Sequence, residues 1–170
     1  MSTEMGLTVV YVIAALAALL HPVPSPAEAP EAYEHLKSLV GDWQAALPGF
    51  GKISSNVRLV SNGKAIEEAI GTPSDNELSV YTLNADKILL THYCALTPDG
   101  HQVRLQTPRL GSELDHLDFS FVSATNLHSK AAPHMRRVTM TISDRDHYSE
   151  QWVETGNGKE TVFTLNFVRR

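Results

Sequence analysis

Apolar and polar residues alternate through most of the chain from about residue 43 onward. In the last such segment Phe163, Leu165 and Phe167 share one side of the backbone. A period of two is the signature of a half-buried β-strand, because successive side chains point to opposite faces. The pattern predicts ten strands, at about 43–47, 54–60, 64–71, 77–83, 87–95, 101–107, 113–122, 134–143, 147–154 and 160–169.

Short turns separate these segments. Asn62-Gly63 and Asn157-Gly158 are two-residue hairpin signals, and Ala85-Asp86 divides two adjacent runs. A short helix precedes the strands within residues 31–40 and ends at Gly41. The predicted fold is therefore all-β: an antiparallel up-and-down β-barrel of about ten strands with a short N-terminal helix, closed so that it has no exposed edge.

The first residues follow a different pattern. Leu7 to Leu20 is a run of fourteen residues without a charge, shorter than the roughly 20 that span a membrane. Ala27-Glu28-Ala29 matches an A-x-A cleavage site. The sequence thus predicts a signal peptide at residues 1–29, one domain at residues 30–170, and export to the periplasm or beyond the cell. Membrane contact is expected only through this segment, if it stays uncleaved.

Composition narrows the classes of function. The chain has 14 Lys+Arg against 19 Asp+Glu and no long basic run, which excludes an electrostatic footprint for nucleic acid. Its 42% hydrophobic residues suffice for one core. Cys94 is the sole cysteine, so no intrachain disulfide can form.

One strand carries the most distinctive chemistry. Along residues 87–95, Ile88, Leu90, His92 and Cys94 share a face, so an imidazole and the only thiol end an apolar row. We expect this face to point into the barrel, because exposing it would cost roughly 1.5–3 kcal/mol per large apolar side chain.

The register of the next hairpin decides the neighbours of His92. If paired residue numbers add to an even sum, Arg104 and Gln106 join His92 and Cys94 inside the barrel. If the sum is odd, Val103 and Leu105 take their places. The even register would give a polar patch suited to the head of a ligand.

Gly41-Asp42-Trp43 opens the first strand, and Phe167-Val168-Arg169-Arg170 closes the last. With an N-terminal helix and an up-and-down barrel, this arrangement resembles the calycin superfamily, which includes lipocalins, fatty-acid-binding proteins and haem-binding nitrobindins. The resemblance implies that Trp43 lies across one barrel end with Arg169 stacked on it, a cation–π contact of about 0.5–2 kcal/mol.

A closer resemblance is to exported bacterial lipocalin-like proteins with a T-H-Y-C run, matched here by residues 91–94. Pro133-His134-Met135 also looks like that group. Where the group has Asn-Gln-Pro, this chain has His101-Gln102-Val103. The resemblance implies a fold rather than an activity.

The leading hypothesis is a barrel that binds a small amphipathic ligand in its interior through five residues: His92, Cys94, Arg104, Gln106 and His134. One alternative is an enzyme in which His92 acts as a general acid or base and Arg104 stabilises negative charge on the substrate. Another is a filled barrel that acts through its surface as an envelope interaction protein.

The same histidines and the cysteine include donor types that metal ions and haem use. Zinc on His92, Cys94 and His134 would use suitable donors, but the H-x-C spacing is not a recognised zinc pattern, so no metal is predicted. Haem ligation by His92 or His134 would rest on the nitrobindin analogy. The cofactor, the ligand and the oligomeric state are left open by the sequence.

The signal-peptide hypothesis gives the first test. We expect N-terminal sequencing of protein exported by its host to begin near Pro30, because the Ala27-Glu28-Ala29 site would be cut after Ala29. A start at Met1 in a membrane fraction would instead indicate an uncleaved anchor.

Overall fold

The computed structural model describes residues 28–94, 99–108, 114–129 and 131–170. These residues form one α-helix and ten β-strands: α1 (Glu28–Lys37), β1 (Gly41–Leu47), β2 (Gly51–Val60), β3 (Ala65–Thr72), β4 (Asp75–Asn84), β5 (Lys87–Cys94), β6 (His101–Gln106), β7 (His116–Ala124), β8 (His134–Asp144), β9 (His147–Gly156) and β10 (Lys159–Arg169). All ten predicted strands are present, with ends shifted by a few residues.

The ten strands close into an antiparallel up-and-down barrel. Each strand pairs with its sequence neighbours, and β1 pairs with β10, which removes both edges of the sheet. The predicted fold class is confirmed. A closed sheet leaves no row of unpaired backbone groups that could join another chain.

Trp43 and Arg169 meet where the first and last strands close the barrel. The two residues are paired in register, and the Arg169 guanidinium lies 4.0 Å from the Trp43 ring centroid. Trp43 Nε1 donates to the Leu39 carbonyl at 2.7 Å. Arg169 Nη1 donates to the Val40 carbonyl at 2.9 Å, so the same group joins the helix–β1 connection to the last strand.

Gly41 shows why a glycine precedes this tryptophan. Its φ is +143°, and a Cβ there would lie 2.6 Å from Arg169 Nη1. A side chain at Gly41 would therefore displace the guanidinium from Trp43.

Helix α1 covers this end of the barrel. Ala32, Tyr33 and Leu36 are buried, and the Tyr33 hydroxyl donates to the Tyr81 carbonyl at 3.3 Å. The predicted cut after Ala29 would fall in the first turn of α1, while residues 1–27 of the predicted signal peptide lie outside the described residues. Among the residues described, no helix has the length and apolar character needed to cross a membrane.

Large side chains fill the middle of the barrel. The inward rows contribute fully or almost fully buried aromatic residues: Trp43, Tyr81, Phe119, Tyr148, Trp152 and Phe167. Phe167 stacks on Tyr148 with ring centroids 4.6 Å apart, and Trp43 meets the same ring edge-on at 4.7 Å. The middle of the barrel is thus a packed core.

Trp43→Ala should lower the free energy of unfolding by about 3–5 kcal/mol, because the ring is fully buried and its removal leaves a cavity under Arg169. Urea unfolding followed by circular dichroism measures the change. Phe50→Ala is the control: Phe50 is 70% exposed, and its loss should cost less than about 0.5 kcal/mol. Equal losses in both variants would contradict the closing role of Trp43.

Candidate functional site

The pairing of β5 with β6 has an odd register. Cys94 faces His101, and His92 faces Val103. Arg104 is exposed opposite Thr91, and Gln106 pairs with Leu89 on the outward row. The interpretation that placed Arg104 and Gln106 beside His92 is therefore wrong, because a shift of one residue moves a whole row to the other face.

His92 points into the barrel, as expected, and only 1% of it is exposed. Its Nδ1 lies 3.0 Å from the Ser79 hydroxyl oxygen. Its Nε2 lies 3.2 Å from Glu77 Oε2, but the two atoms are not aligned for a hydrogen bond. The imidazole also packs on the Trp152 ring at a centroid distance of 4.5 Å.

The β4–β5 hairpin explains this arrangement. Its two-residue turn pairs Asn84 with Lys87, which sets Ser79 opposite His92. Glu77 lies two positions before Ser79, on the same face of β4. Donor atoms of Glu77, His92 and Cys94 consequently lie within 4.8 Å of one another.

Two further histidines lie near this end of the barrel. His101 is 5% exposed, and neither of its ring nitrogens has a hydrogen bond to a described residue. Burial lowers the pKa of His101, and the neighbouring His134 and His92 lower it further. His134 donates from Nδ1 to the Ala132 carbonyl at 2.9 Å and packs on Phe121, with ring centroids 4.7 Å apart.

A buried carboxyl cluster lies deeper in the barrel. Glu68 is 1% exposed and accepts hydrogen bonds from Ser55 at 2.7 Å, Tyr81 at 2.8 Å and Tyr148 at 2.9 Å. Three hydroxyl donors thus converge on one carboxyl group. The adjacent Glu67 points outward and pairs with Arg58, so the two glutamates lie on opposite sides, as β-strand geometry predicts.

Glu150 completes this cluster from β9 and is fully buried. Its Oε2 accepts a hydrogen bond from Trp152 Nε1 at 2.9 Å, and its Oε1 accepts one from the Tyr81 hydroxyl at 3.4 Å. Burial raises the pKa of Glu150 well above its ordinary value, and the charge of Glu68 raises it further. Burial and the same carboxyl group also raise the pKa values of Tyr81 and Tyr148.

Two cavities lined by described residues lie toward the end of the barrel opposite α1, the first of them on the outer row that joins Ser120, Arg137 and Val153. One of about 600 Å³ lies where β7 leads to β8 and β9 leads to β10, lined in part by Phe121, Leu127, His134, Arg136, Arg137 and Val153. Another, of about 410 Å³, has Cys94 and His101 in its wall. His92 lines neither of them.

A β-bulge shapes the wall of the larger cavity. The register of β8 against β9 shifts between Met135 and Arg137, so Arg136 is an extra residue in the strand. Consecutive residues of a regular strand point to opposite faces, but here both arginines line the cavity. His134 and Arg136 therefore do not continue the inward row of Val138, Met140 and Ile142.

The structure brings together residues that the sequence analysis did not select. Glu77 and Ser79 join His92 and Cys94, whereas Glu150 joins Glu68 from a strand not adjacent to β3. For Glu77 and Ser79 a signal existed: the two-residue turn at Ala85-Asp86 fixes the register. For Glu150 no local signal exists, because the pairing depends on packing across the barrel.

No family model and no curated protein matches this chain. A solved structure of a protein of unknown function from the DUF3598 family of Nostoc punctiforme PCC 73102 aligns with 12% identity and a TM-score of 0.49, covering 79% of this chain and 48% of that one. The chain thus spans about half the length of that protein. The closed ten-stranded barrel is consistent with a calycin-like fold, and the closer T-H-Y-C group stays a prediction.

The buried carboxyl pair predicts a pH dependence of stability. Because its folded-state pKa is raised, Glu150 stabilises the fold fully below about pH 4.5 and progressively less as pH rises toward the folded value. Glu150→Gln keeps the shape without the charge. Between pH 5 and pH 8, the stability of this variant relative to the native protein should rise by on the order of 1 kcal/mol or more, measured by urea unfolding.

Gln151→Glu is the matched control, since it puts a carboxyl on the exposed face of the same strand. Its stability relative to the native protein should change by less than about 0.5 kcal/mol over that range. The same result for Glu150→Gln would show that burial of Glu150 does not govern stability.

Proposed function

We propose that this barrel binds a small amphipathic molecule with an anionic group, in the cavity beside the β8 bulge. The observation that carries the proposal is that three apolar side chains lie beside two arginines in the lining of one cavity of about 600 Å³. The volume lies within the range of about 300–1,000 Å³ that is common for small-molecule sites, and the polar part of the lining suits a ligand with a charged group.

The apolar part of the ligand would contact Phe121, Leu127 and Val153. Phe121 is held by the packed His134 ring, and Val153 is almost fully buried. A wall fixed by packing loses little freedom when a ligand binds, so it favours affinity.

The anionic group would be bound by Arg137, with Arg136 and His134 beside it. Arg136 Nε lies 3.6 Å from Glu160 Oε1, so the carboxylate offsets part of the charge of Arg136. Arg137 forms no ion pair with a described residue. Because His134 Nδ1 already donates to Ala132, the Nε2 of a neutral His134 can accept a hydrogen bond from an N–H or O–H group of the ligand. The guanidinium group suits carboxylate, sulfonate or phosphate oxygens through paired hydrogen bonds.

This proposal moves the ligand away from the interior position that the sequence suggested. His92 is 1% exposed and large side chains fill the middle of the barrel, so a ligand at the barrel end needs no repacking. Of the five residues first chosen for the ligand, His134 alone lines this cavity. The enzyme alternative loses its arginine, because Arg104 lies on the outer face.

Two fluorescent probes with the same ring system test the proposal. We expect 8-anilinonaphthalene-1-sulfonate to bind saturably. Arg137→Gln should lower the affinity for this probe about tenfold, because a hydrogen bond to a charged group contributes roughly 1.5–3 kcal/mol. N-phenyl-1-naphthylamine lacks the sulfonate. Its affinity should be weaker and unaffected by Arg137→Gln.

Arg58→Gln is the matched control, since it removes an exposed arginine of β2 that pairs with Glu67. It should leave the affinity for both probes unchanged. Failure of the native protein to bind either probe saturably would favour the filled-barrel alternative, in which the protein acts through its surface.

A further inference from the structure

The geometry points to a Zn²⁺ site formed by Glu77, His92 and Cys94 on the inward face of the β4–β5 hairpin. This inference goes beyond the proposed ligand cavity and does not depend on it. The three residues bring one carboxylate oxygen, one imidazole nitrogen and one sulfur together within 4.8 Å. Oxygen, nitrogen and thiolate sulfur are the donors that zinc takes in proteins.

The spacing of these atoms is close to that of a zinc coordination sphere. Bonds of about 2.0–2.3 Å in a tetrahedron place neighbouring donor atoms roughly 3.3–3.8 Å apart. His92 Nε2 and Glu77 Oε2 are already separated by 3.2 Å. The Cys94 sulfur lies within 4.8 Å of both atoms, so a side-chain movement of about 1 Å would bring it to that spacing.

His92 gives independent support, because its Nε2 is buried and has no hydrogen bond. A buried nitrogen without a partner is costly, so it calls for an explanation. The Ser79 hydroxyl can accept the Nδ1 proton at 3.0 Å, which leaves a lone pair on Nε2 only 3.2 Å from the Glu77 carboxylate oxygen. Two electron pairs 3.2 Å apart repel each other, whereas a cation between them would bind both.

The surrounding residues hold the imidazole in the orientation that a metal ligand needs. Ser79 fixes one ring nitrogen, and the Trp152 ring packs against the face of His92 at 4.5 Å. Metal-binding histidines commonly use their second nitrogen in this way, and losing that partner lowers metal affinity about 10–100-fold. Ser79 is therefore a positioning residue for the site.

The cavity of about 410 Å³ gives an ion a route from solvent, because Cys94 lies in its wall. His101 lines the same cavity directly opposite Cys94 and has two ring nitrogens without hydrogen bonds to described residues. Side chains directly opposite on paired strands lie about 4.5–5.5 Å apart at Cβ. We assign the fourth coordination position to His101.

The mixed donor set distinguishes zinc from magnesium and calcium. Magnesium and calcium prefer oxygen ligands alone, and a thiolate with an imidazole disfavours both. Zinc accepts tetrahedral geometry without loss, which suits donors from three neighbouring strands.

A competition titration tests the site directly. Full-chain protein stripped with EDTA is titrated with zinc sulfate against the chromogenic chelator 4-(2-pyridylazo)resorcinol. We expect one equivalent of Zn²⁺ per chain. Glu77→Gln, His92→Gln, Cys94→Ser and His101→Gln should each weaken binding at least tenfold, and Ser79→Ala about tenfold. His116→Gln, which removes an exposed histidine of β7, should bind as the native protein does.

Cobalt provides a second readout that a purely structural role would not change. Co²⁺ bound through Cys94 should give a sulfur-to-metal charge-transfer band, which Cys94→Ser abolishes and His116→Gln retains. Far-UV circular dichroism in EDTA identifies variants that have failed to fold, and Glu77→Gln guards against that outcome because Glu77 is partly exposed. Zinc affinity unchanged in folded Glu77→Gln and Cys94→Ser, or no stoichiometric binding by the native protein, would overturn the proposal. Unchanged affinity in His101→Gln alone would overturn its assignment as the fourth ligand.

Discussion

Exclusion of water from the closed barrel is the constraint on which the rest of the structure depends. Once β1 pairs with β10, a polar group in the packed middle of the barrel must find a partner inside. Glu68 does so with three hydroxyl donors, and Glu150 does so with Trp152 and Tyr81. The two carboxyl groups and their donors thus form a connected network, and removing one member would leave others buried without partners.

Trp152 links this network to the hairpin that carries His92. Its indole nitrogen donates to Glu150, while its ring packs on the imidazole. The carboxyl pair in the middle of the barrel therefore supports the orientation of groups nearer the open end. Rigid support of this kind favours binding chemistry, because donors held in place lose little entropy when a ligand or ion arrives.

The ten strands could be predicted from the sequence, because period-two alternation is a local signal. The contact between Trp43 and Arg169 could be predicted only through the resemblance to calycins. The residues of β6 that lie opposite His92 could not be predicted, because the connection after Cys94 is long and permits either register. The bulge in β8 likewise breaks the alternation without a sequence signal of its own.

The closing contact between Arg169 and Val40 joins residues 129 positions apart. Contacts between such distant residues form late in folding, since the loop entropy is lost before the contact stabilises the chain. Until then β1 and β10 are the two open edges of a sheet that carries a row of buried aromatic residues. An unclosed sheet of this kind is prone to pair with other chains, so the period before Arg169 reaches Trp43 is when aggregation competes with folding.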